Sequence, residues 1–381
     1  MSFKLTRLFR FLVLRPPPIA FVGIKYPLSI SLSSDYNCCN KPLSITTSVM
    51  GDSSLSAPLL VLCGKTSAEK ELARSLKDNS NLKLPETPLI SVMLHSEIDK
   101  PVEEDQFQID LFLRSLSTTR FGRLLLWSPL LSSTHDVVSH NFSELPIGAV
   151  CVADFQSKGR GRSKNVWESP KGCLLFSFTM QMEDGRIVPL VQYVASLSMT
   201  EAIKDICVRN GLPNIDVRIK WPNDLYLNGL KVGGILCTST YRSKKFNVSA
   251  GIGLNVDNKK PTTCLNSVLQ ELTSTSFQIR KEELLATFFN KFETLFDLFI
   301  SEGFKPLEDL YYKTWLHSGQ RVIVQEKEKD DDQLTEIVAT IQGLTSSGYL
   351  LAVDESGQMC ELHPDGNSFD FFKGLVKRKM S

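Results

Sequence analysis

The sequence predicts an α+β chain, with a mixed strand-and-helix region over 119–314 and a small β-barrel over 315–381. Three observations lead there. Two long apolar repeats at helical spacing, 189–210 and 281–302, stand among short β-rich runs. Asn228-Gly229 separates two of those runs, and both residues tolerate the positive φ of a tight hairpin. After Trp315 only short strands remain, at 320–326, 335–343, 348–354 and 357–363, parted by a charged turn at 327–332 and by Ser/Gly turns.

The elements follow in order. Residues 58–63 read as a short buried strand and 67–77 as an amphipathic helix. Residues 80–105 are polar and contain proline, so 51–118 is expected as a small α/β accessory region. Strands are expected at 124–127, 148–155 and 174–182, the last turned by Glu183-Asp184-Gly185. The 189–210 helix starts at Pro189, which suits a first turn, and buries Leu190, Val194, Leu197, Met199, Ile203 and Ile206. Strands at 216–220, 225–227, 232–237 and 247–256 continue the sheet. The 281–302 helix places Leu284, Phe288, Phe292, Leu295 and Phe299 on one face, and Gly303 ends it. Those phenylalanines are core.

Charge divides the chain unevenly. Of 381 residues, 1–50 hold six bases (Lys4, Arg7, Arg10, Arg15, Lys25, Lys41) and one acid, Asp35, so this stretch carries +5. The other 37 basic and 41 acidic residues leave the body at −4. A basic leader with Leu and Phe between its cations, and serines at 29–34, has the composition of an organelle transit peptide. Met50 stands where that bias ends, and initiation there would give a cytosolic form. The acidic body gives little drive toward bulk nucleic acid. No apolar run reaches the roughly 18 residues of a spanning helix. The nine cysteines include no C-x-x-C, and Cys63, Cys151, Cys173, Cys207 and Cys237 sit in or beside apolar runs, so structural zinc is not expected.

Two glycine motifs are incomplete. Gly64-Lys65-Thr66 resembles the end of a P-loop, but Leu59 occupies the place of its first glycine. Gly251-Ile252-Gly253 runs on into Leu254 and Asn255, short of the dinucleotide fingerprint.

Three segments carry chemistry. Gly159-Arg160-Gly161-Arg162-Ser163-Lys164 joins backbone freedom to two forked cations suited to carboxylate or phosphate. A solvated basic loop has the same composition. Lys220-Trp221-Pro222-Asn223-Asp224 leads through Asn228-Gly229 into Lys231-Val232-Gly233-Gly234, so two lysines and an Asn-Asp pair share one hairpin. There the glycines admit a ligand close to backbone, while Asp224 could equally brace a turn. Ser132-Ser133-Thr134-His135 precedes a helix, where hydroxyls cap the helix or receive a polar ligand.

In this order the segments resemble the biotin–protein ligase family, most closely its eukaryotic, plant-like holocarboxylase synthetases. The resemblance spans about 120–378 and rests on G-R-G-R, W-x-S-P-x-G (Trp167 to Gly172), K-W-P-N-D and K-x-G-G-I-L. It implies a class II aminoacyl-tRNA-synthetase-like catalytic domain, followed by an SH3-like β-barrel. It implies activation of biotin by Mg2+-ATP to biotinyl-5′-AMP, then transfer to a lysine of a biotin carboxyl carrier domain. The acceptors would be carboxylases of the acetyl-CoA or methylcrotonyl-CoA type, and the enzyme a monomer with no DNA partner, since no helix-turn-helix region precedes the catalytic part. Ser133, Thr134, Gln156, Gly159 and Gly234 would contact biotin. Arg160 and Lys231 would lie near its carboxylate, and Arg162 near the phosphates. Trp167 would be the lid, and Asn223 and Asn255 would touch the adenylate. Lys220 and Asp224 would stand nearest the reacting carbonyl. Ser163, Lys164 and His135 depart from common bacterial residues, which are Arg, Gly and Asn. The alternatives are a lipoate–protein ligase or octanoyl transferase, and a non-catalytic biotin-sensing regulator.

Overall fold

The computed structural model describes residues 58–378, apart from 85–88, 100–102, 104, 163–164, 259–260, 275, 328–333, 365–366 and 371–372. The leader, Met50 and the Ser163-Lys164 pair lie outside the described residues. Chain order begins β1 (Leu59–Gly64), α1 (Ser67–Asp78), β2 (Ser91–Leu94), α2 (Ile109–Ser115), β3 (Leu124–Leu131), α3 (Thr134–His140), β4 (Val150–Gln156) and β5 (Cys173–Met182). It continues with α4 (Val191–Arg209), β6 (Arg218–Lys220), β7 (Asp224–Leu227), β8 (Leu230–Arg242), β9 (Lys245–Asn255), α5 (Leu265–Leu272), α6 (Lys281–Glu302) and α7 (Glu308–Thr314). Six strands end the chain: β10 (Arg321–Lys327), β11 (Leu334–Leu344), β12 (Leu350–Asp354), β13 (Met359–Leu362), β14 (Asn367–Asp370) and β15 (Leu375–Arg378).

The first nine strands form one mixed sheet in the order β2-β1-β3-β4-β5-β9-β8-β7-β6. β1 and β2 are parallel, as are β3 and β4, and the remaining neighbours are antiparallel. The described part of the expected 51–118 accessory region contributes two strands to this sheet. β1 pairs with β3 and extends the main sheet, and α2 packs on α6.

One sheet face is apolar. Phe176 and Phe178 of β5 and Ala250, Ile252 and Leu254 of β9 join a core with Val194, Leu197, Phe288, Phe289 and Phe292. Alternation turns the intervening residues to the other face. There Ser177 is registered with Gly251, and Gly253 with Gly234, so the sequence supplies small side chains where α3 packs and a cavity opens. α4 is buried on more sides than an amphipathic surface helix, because α6 and the C-terminal β domain also contact it. Tyr193 Oη donates to the Gly348 carbonyl at 2.5 Å.

The turn chemistry follows the sequence. Asn228 (φ 50°) and Gly229 (φ 77°) form the β7–β8 turn, and Gly303 (φ 78°) ends α6. The C-terminal sheet has the order β13-β12-β11-β10-β15-β14. It contains the four expected strands and two more, β14 and β15, each of four residues. β15 pairs in parallel with β10, a long-range partnership that local pattern does not announce.

The P-loop-like segment serves another purpose. Lys65 Nζ donates to the carbonyls of Leu113 (2.7 Å) and Leu116, tying β1 to the end of α2. The Thr66 N–H donates to Glu69 Oε2 at 2.8 Å, which fixes the start of α1.

Candidate active site

Eleven of the thirteen residues singled out from sequence line one cavity of about 450 Å³: Ser133, Thr134, Gln156, Arg160, Arg162, Trp167, Lys220, Asn223, Asp224, Lys231 and Gly234. That volume suits a small molecule. Its floor is the small-residue face of β5, β8 and β9, and its two ends differ in chemistry.

The first end is neutral and buried. Ser133 caps α3 by accepting from the Asp136 N–H at 3.4 Å. The Thr134 backbone N–H (2.7 Å) and hydroxyl (3.0 Å) both reach Gln156 Oε1, and Thr134 Oγ1 lies 2.8 Å from Ser177 Oγ. Gln156 Nε2 donates to Ser169 Oγ at 3.3 Å. His135 points Nε2 at Thr238 Oγ1, 2.9 Å away. Burial, before any neighbouring charge, pushes the His135 pKa down to about 4. These groups have given up water, so a ligand with matching donors and acceptors is favoured over one without them.

The second end is cationic. After β4 the described residues 157–162 and 165–167 are tied by backbone hydrogen bonds. Trp167 N–H donates to the Gly159 carbonyl (2.9 Å), and Gly161 N–H to the Asn165 carbonyl (2.8 Å). Arg160 Nε stands 3.0 Å from Asp136 Oδ1. Arg162 bridges two elements, donating from Nη1 to Asn223 Oδ1 and from Nη2 to the Pro364 carbonyl, both at 3.0 Å. Asn223 is fixed in turn, donating from Nδ2 to the Ile235 carbonyl at 2.5 Å. Lys231 Nζ lies 2.7 Å from Asp224 Oδ1 and 5.6 Å from the Trp167 ring centroid. Gly234 is registered opposite Asp224, beneath that ion pair. Lys220 Nζ lies 5.5 Å from the Tyr226 ring centroid.

Two expected residues fall outside the cavity lining. Gly159 is buried against Trp167, whose carbonyl oxygen would be 2.4 Å from any Cβ there, and it faces a neighbouring cavity of about 920 Å³. Asn255 makes hydrogen bonds within the protein. Its Nδ2 donates to Thr262 Oγ1 and the Thr263 carbonyl (both 3.1 Å), and its Oδ1 accepts from Cys173 Sγ at 3.3 Å. Thr262 Oγ1 then donates to the Lys231 carbonyl at 2.7 Å. Asn255 thus braces the segment behind Lys231.

Sequence reasoning missed Ser177, Gly251, Gly253 and the C-terminal contributors Pro364 and Phe369, all of which line the cavity. The strand alternation around Ser177 held a signal, and so did the Gly-Ile-Gly spacing. At Gly253 a Cβ would stand 2.6 Å from Trp167 Cε2 and Nε1, so the glycine makes room for the indole. Among the described residues, no cluster of three or more His, Cys, Asp or Glu side chains forms a metal site.

The description "Biotin/lipoate A/B protein ligase family" matches residues 127–255, and "Biotin protein ligase C terminal domain" matches 317–374. Biotin–protein ligase 1, chloroplastic, of Arabidopsis thaliana is 67% identical over 323 residues, covering 84% of this chain and 88% of that protein. Biotin–protein ligase 2 of the same plant is 65% identical, covering 84% of this chain and 98% of that protein. The Homo sapiens biotin–protein ligase is 32% identical over 72% of this chain and 38% of its own length. Among solved structures, the Aquifex aeolicus biotin protein ligase in complex with biotin and ATP is 26% identical, with a TM-score of 0.49 over 62% of this chain and 94% of that one. On the two Arabidopsis relatives, which match most of its length, the chain belongs to the biotin–protein ligase family.

Proposed function

We propose that the cavity holds biotin and ATP together, activates biotin to biotinyl-5′-AMP, and transfers the biotinyl group to a lysine of a carrier domain. The observation that carries this reading is the two-ended cavity, with buried neutral hydrogen-bonding groups at one end and Arg160, Arg162 and Lys231 at the other. A ureido ring fits the first end, and two anions can meet at the second.

In the first step a biotin carboxylate oxygen attacks the α-phosphorus of ATP. The bond from that phosphorus to the bridging oxygen breaks, and diphosphate leaves. Both reactants are anionic, so fixed cations lower the barrier by offsetting charge as it concentrates at the reacting phosphorus. Arg162 is already held in place by Asn223 and Pro364. Arg160 and Lys231 are paired with Asp136 and Asp224, and each can exchange a carboxylate partner for a ligand anion. Mg2+ would add positive charge to the polyphosphate. Asp224 is the lining carboxylate among the described residues, so the ion would arrive held mainly by phosphate oxygens and water.

In the second step the acceptor lysine nitrogen attacks the acyl carbon, the acyl–oxygen bond to phosphate breaks, and AMP leaves with that oxygen. Lys220 or Asp224 orients the amine or takes its proton. Trp167, with Arg160 and Arg162 beside it on the cavity, limits hydrolysis of the mixed anhydride by excluding water.

In this reading 119–314 is the catalytic unit, 315–381 its small β domain, and the enzyme a monomer without a DNA partner. Carboxylase carrier domains of the acetyl-CoA and methylcrotonyl-CoA type are the acceptors. Residues 1–50 address the chain to a chloroplast or mitochondrion, and initiation at Met50 yields a cytosolic form.

The test is incorporation of labelled biotin into a purified carrier domain by residues 51–381. Incorporation that requires both ATP and biotin supports the reading. Incorporation of lipoate instead, or transfer without ATP, rejects it.

A further inference from the structure

Tyr226 stands outside the cavity lining, beside Lys220, whose Nζ lies 5.5 Å from the centre of its ring. We propose that Tyr226 is a positioning residue for biotinylation, its ring face holding the Lys220 ammonium on the cavity as a fixed cation. This rests on the reading of the cavity as the place where biotin and ATP meet. It adds a residue that acts there through Lys220.

Placement is the first support. Ile219, Leu225 and Leu227 turn into the apolar core. Alternation therefore sends Arg218, Lys220, Asp224 and Tyr226 to the other face of the β6–β7 pair. Lys220 is registered opposite Asp224, and Arg218 opposite Tyr226. Lys220 and Tyr226 are thus diagonal neighbours, a separation that a long side chain and an aromatic ring can span. The carboxylate directly opposite is engaged from the other side, with Lys231 Nζ 2.7 Å from Asp224 Oδ1. A register shift at Leu225/Tyr226 sets this up, pairing Asp224 with Gly234 and Tyr226 with Lys231. Lys231 then crosses over Gly234, where a Cβ would stand 3.6 Å from its ammonium.

Charge is the second. A carboxylate partner offsets a cation and must be displaced before a ligand anion takes its place. An aromatic face attracts an ammonium through its quadrupole and carries no net charge. An ammonium held on a ring therefore keeps its full charge toward a phosphate. Lys231 has both kinds of partner, Asp224 and the Trp167 ring centroid 5.6 Å away. Tyr226 contributes without touching substrate. Charge that gathers on the phosphate oxygens during the reaction is met by a cation already in place.

The test is a double-mutant cycle in the full chain, read as labelled biotin incorporated into a purified carrier domain. Tyr226→Leu should lower kcat about three- to tenfold and leave the KM values for biotin and ATP within about twofold of wild type. Tyr226→Phe keeps the ring face and should stay within about twofold in kcat. In a Lys220→Met background, Tyr226→Leu should add less than about 1.5-fold, because its effect passes through the ammonium. The same loss in that background as in wild type would reduce Tyr226 to packing. Equal loss in Tyr226→Phe and Tyr226→Leu would assign the effect to the hydroxyl, and a wild-type kcat in Tyr226→Leu would overturn the proposal outright. Proton spectra of the wild-type chain decide the matter if the leucine variant fails to fold or the methionine background is too slow to measure. The Tyr226 ring current should move the Lys220 ε-methylene signal upfield, assigned by its loss in Lys220→Met, and an ε-methylene at its ordinary position would overturn the pairing. A wild-type chain that incorporates no biotin would sink the reading of the cavity itself, and the lysine signal would still report on the pairing.

Discussion

The backbone N–H of Trp221 donates to Nε2 of His317, 2.9 Å away, across the junction between the nine-stranded sheet and the C-terminal β domain. His317 Nδ1 lies 2.9 Å from Gln320 Oε1, so the ring accepts at one nitrogen, donates at the other and is neutral. This contact anchors the Lys220–Asp224 segment from outside the catalytic sheet.

Its pH dependence follows. Burial first of all pushes the His317 pKa from 6.5 down to about 4, and His135 is shifted alike. Between those values the unfolded chain binds the proton and the folded chain does not. Stability is therefore full above pH 6.5 and falls as pH drops toward 4, by up to about 3 kcal/mol per histidine. Melting curves at pH 7.5, 6 and 5 should show this decline. His317→Phe should lower stability at pH 7.5 by roughly 1–3 kcal/mol through the unpaired Trp221 N–H, and should flatten the pH response.

Arg162 reaches both Asn223 and the Pro364 carbonyl. Arg162→Ala should slow biotinyl-AMP formation by about 100-fold or more. Arg162→Lys should recover little of that, because one ammonium cannot reproduce the fork. Release of labelled diphosphate measures the step directly, and a near-normal rate in the alanine variant would remove Arg162 from charge stabilisation.

Gly253→Ala would bring a methyl to 2.6 Å from the Trp167 indole, on a strand whose backbone is held on both sides. The indole must move. The variant should fold, lose the change in tryptophan fluorescence on biotin and ATP binding, and react at least tenfold more slowly.

Lys65 supplies a control. Its ammonium holds the Leu113 and Leu116 carbonyls and lies outside the catalytic cavity lining. Lys65→Met should leave the ATP KM within about twofold of wild type while costing about 1–3 kcal/mol of stability. A large rise in the ATP KM would restore the P-loop reading.

Much of the site was legible because its chemistry is written in short runs. Arg160, Arg162, Lys220, Asp224 and Lys231 announce themselves by charge and glycine spacing, and the structure places all five on one cavity. Asn255 shows what such reading does not supply. Its residue type suits an adenylate, but only the fold reveals that Thr262, Thr263 and Cys173 already engage it. Ser177 looked like an ordinary strand residue until register set it beside Gly251. The long helices were readable from spacing, whereas the parallel β10–β15 pairing and the merger of β1 with the main sheet depend on distant partners.

The cavity floor has a consequence for how such an enzyme can change. Gly234, Gly251 and Gly253 make that surface largely from main chain. Main-chain atoms in a paired sheet have no rotamers to adjust, so the floor behaves as a fixed template. Acquisition of a new substrate must then come through the rim, at His135, Gln156 and Trp167, while the floor stays closed to gradual retuning.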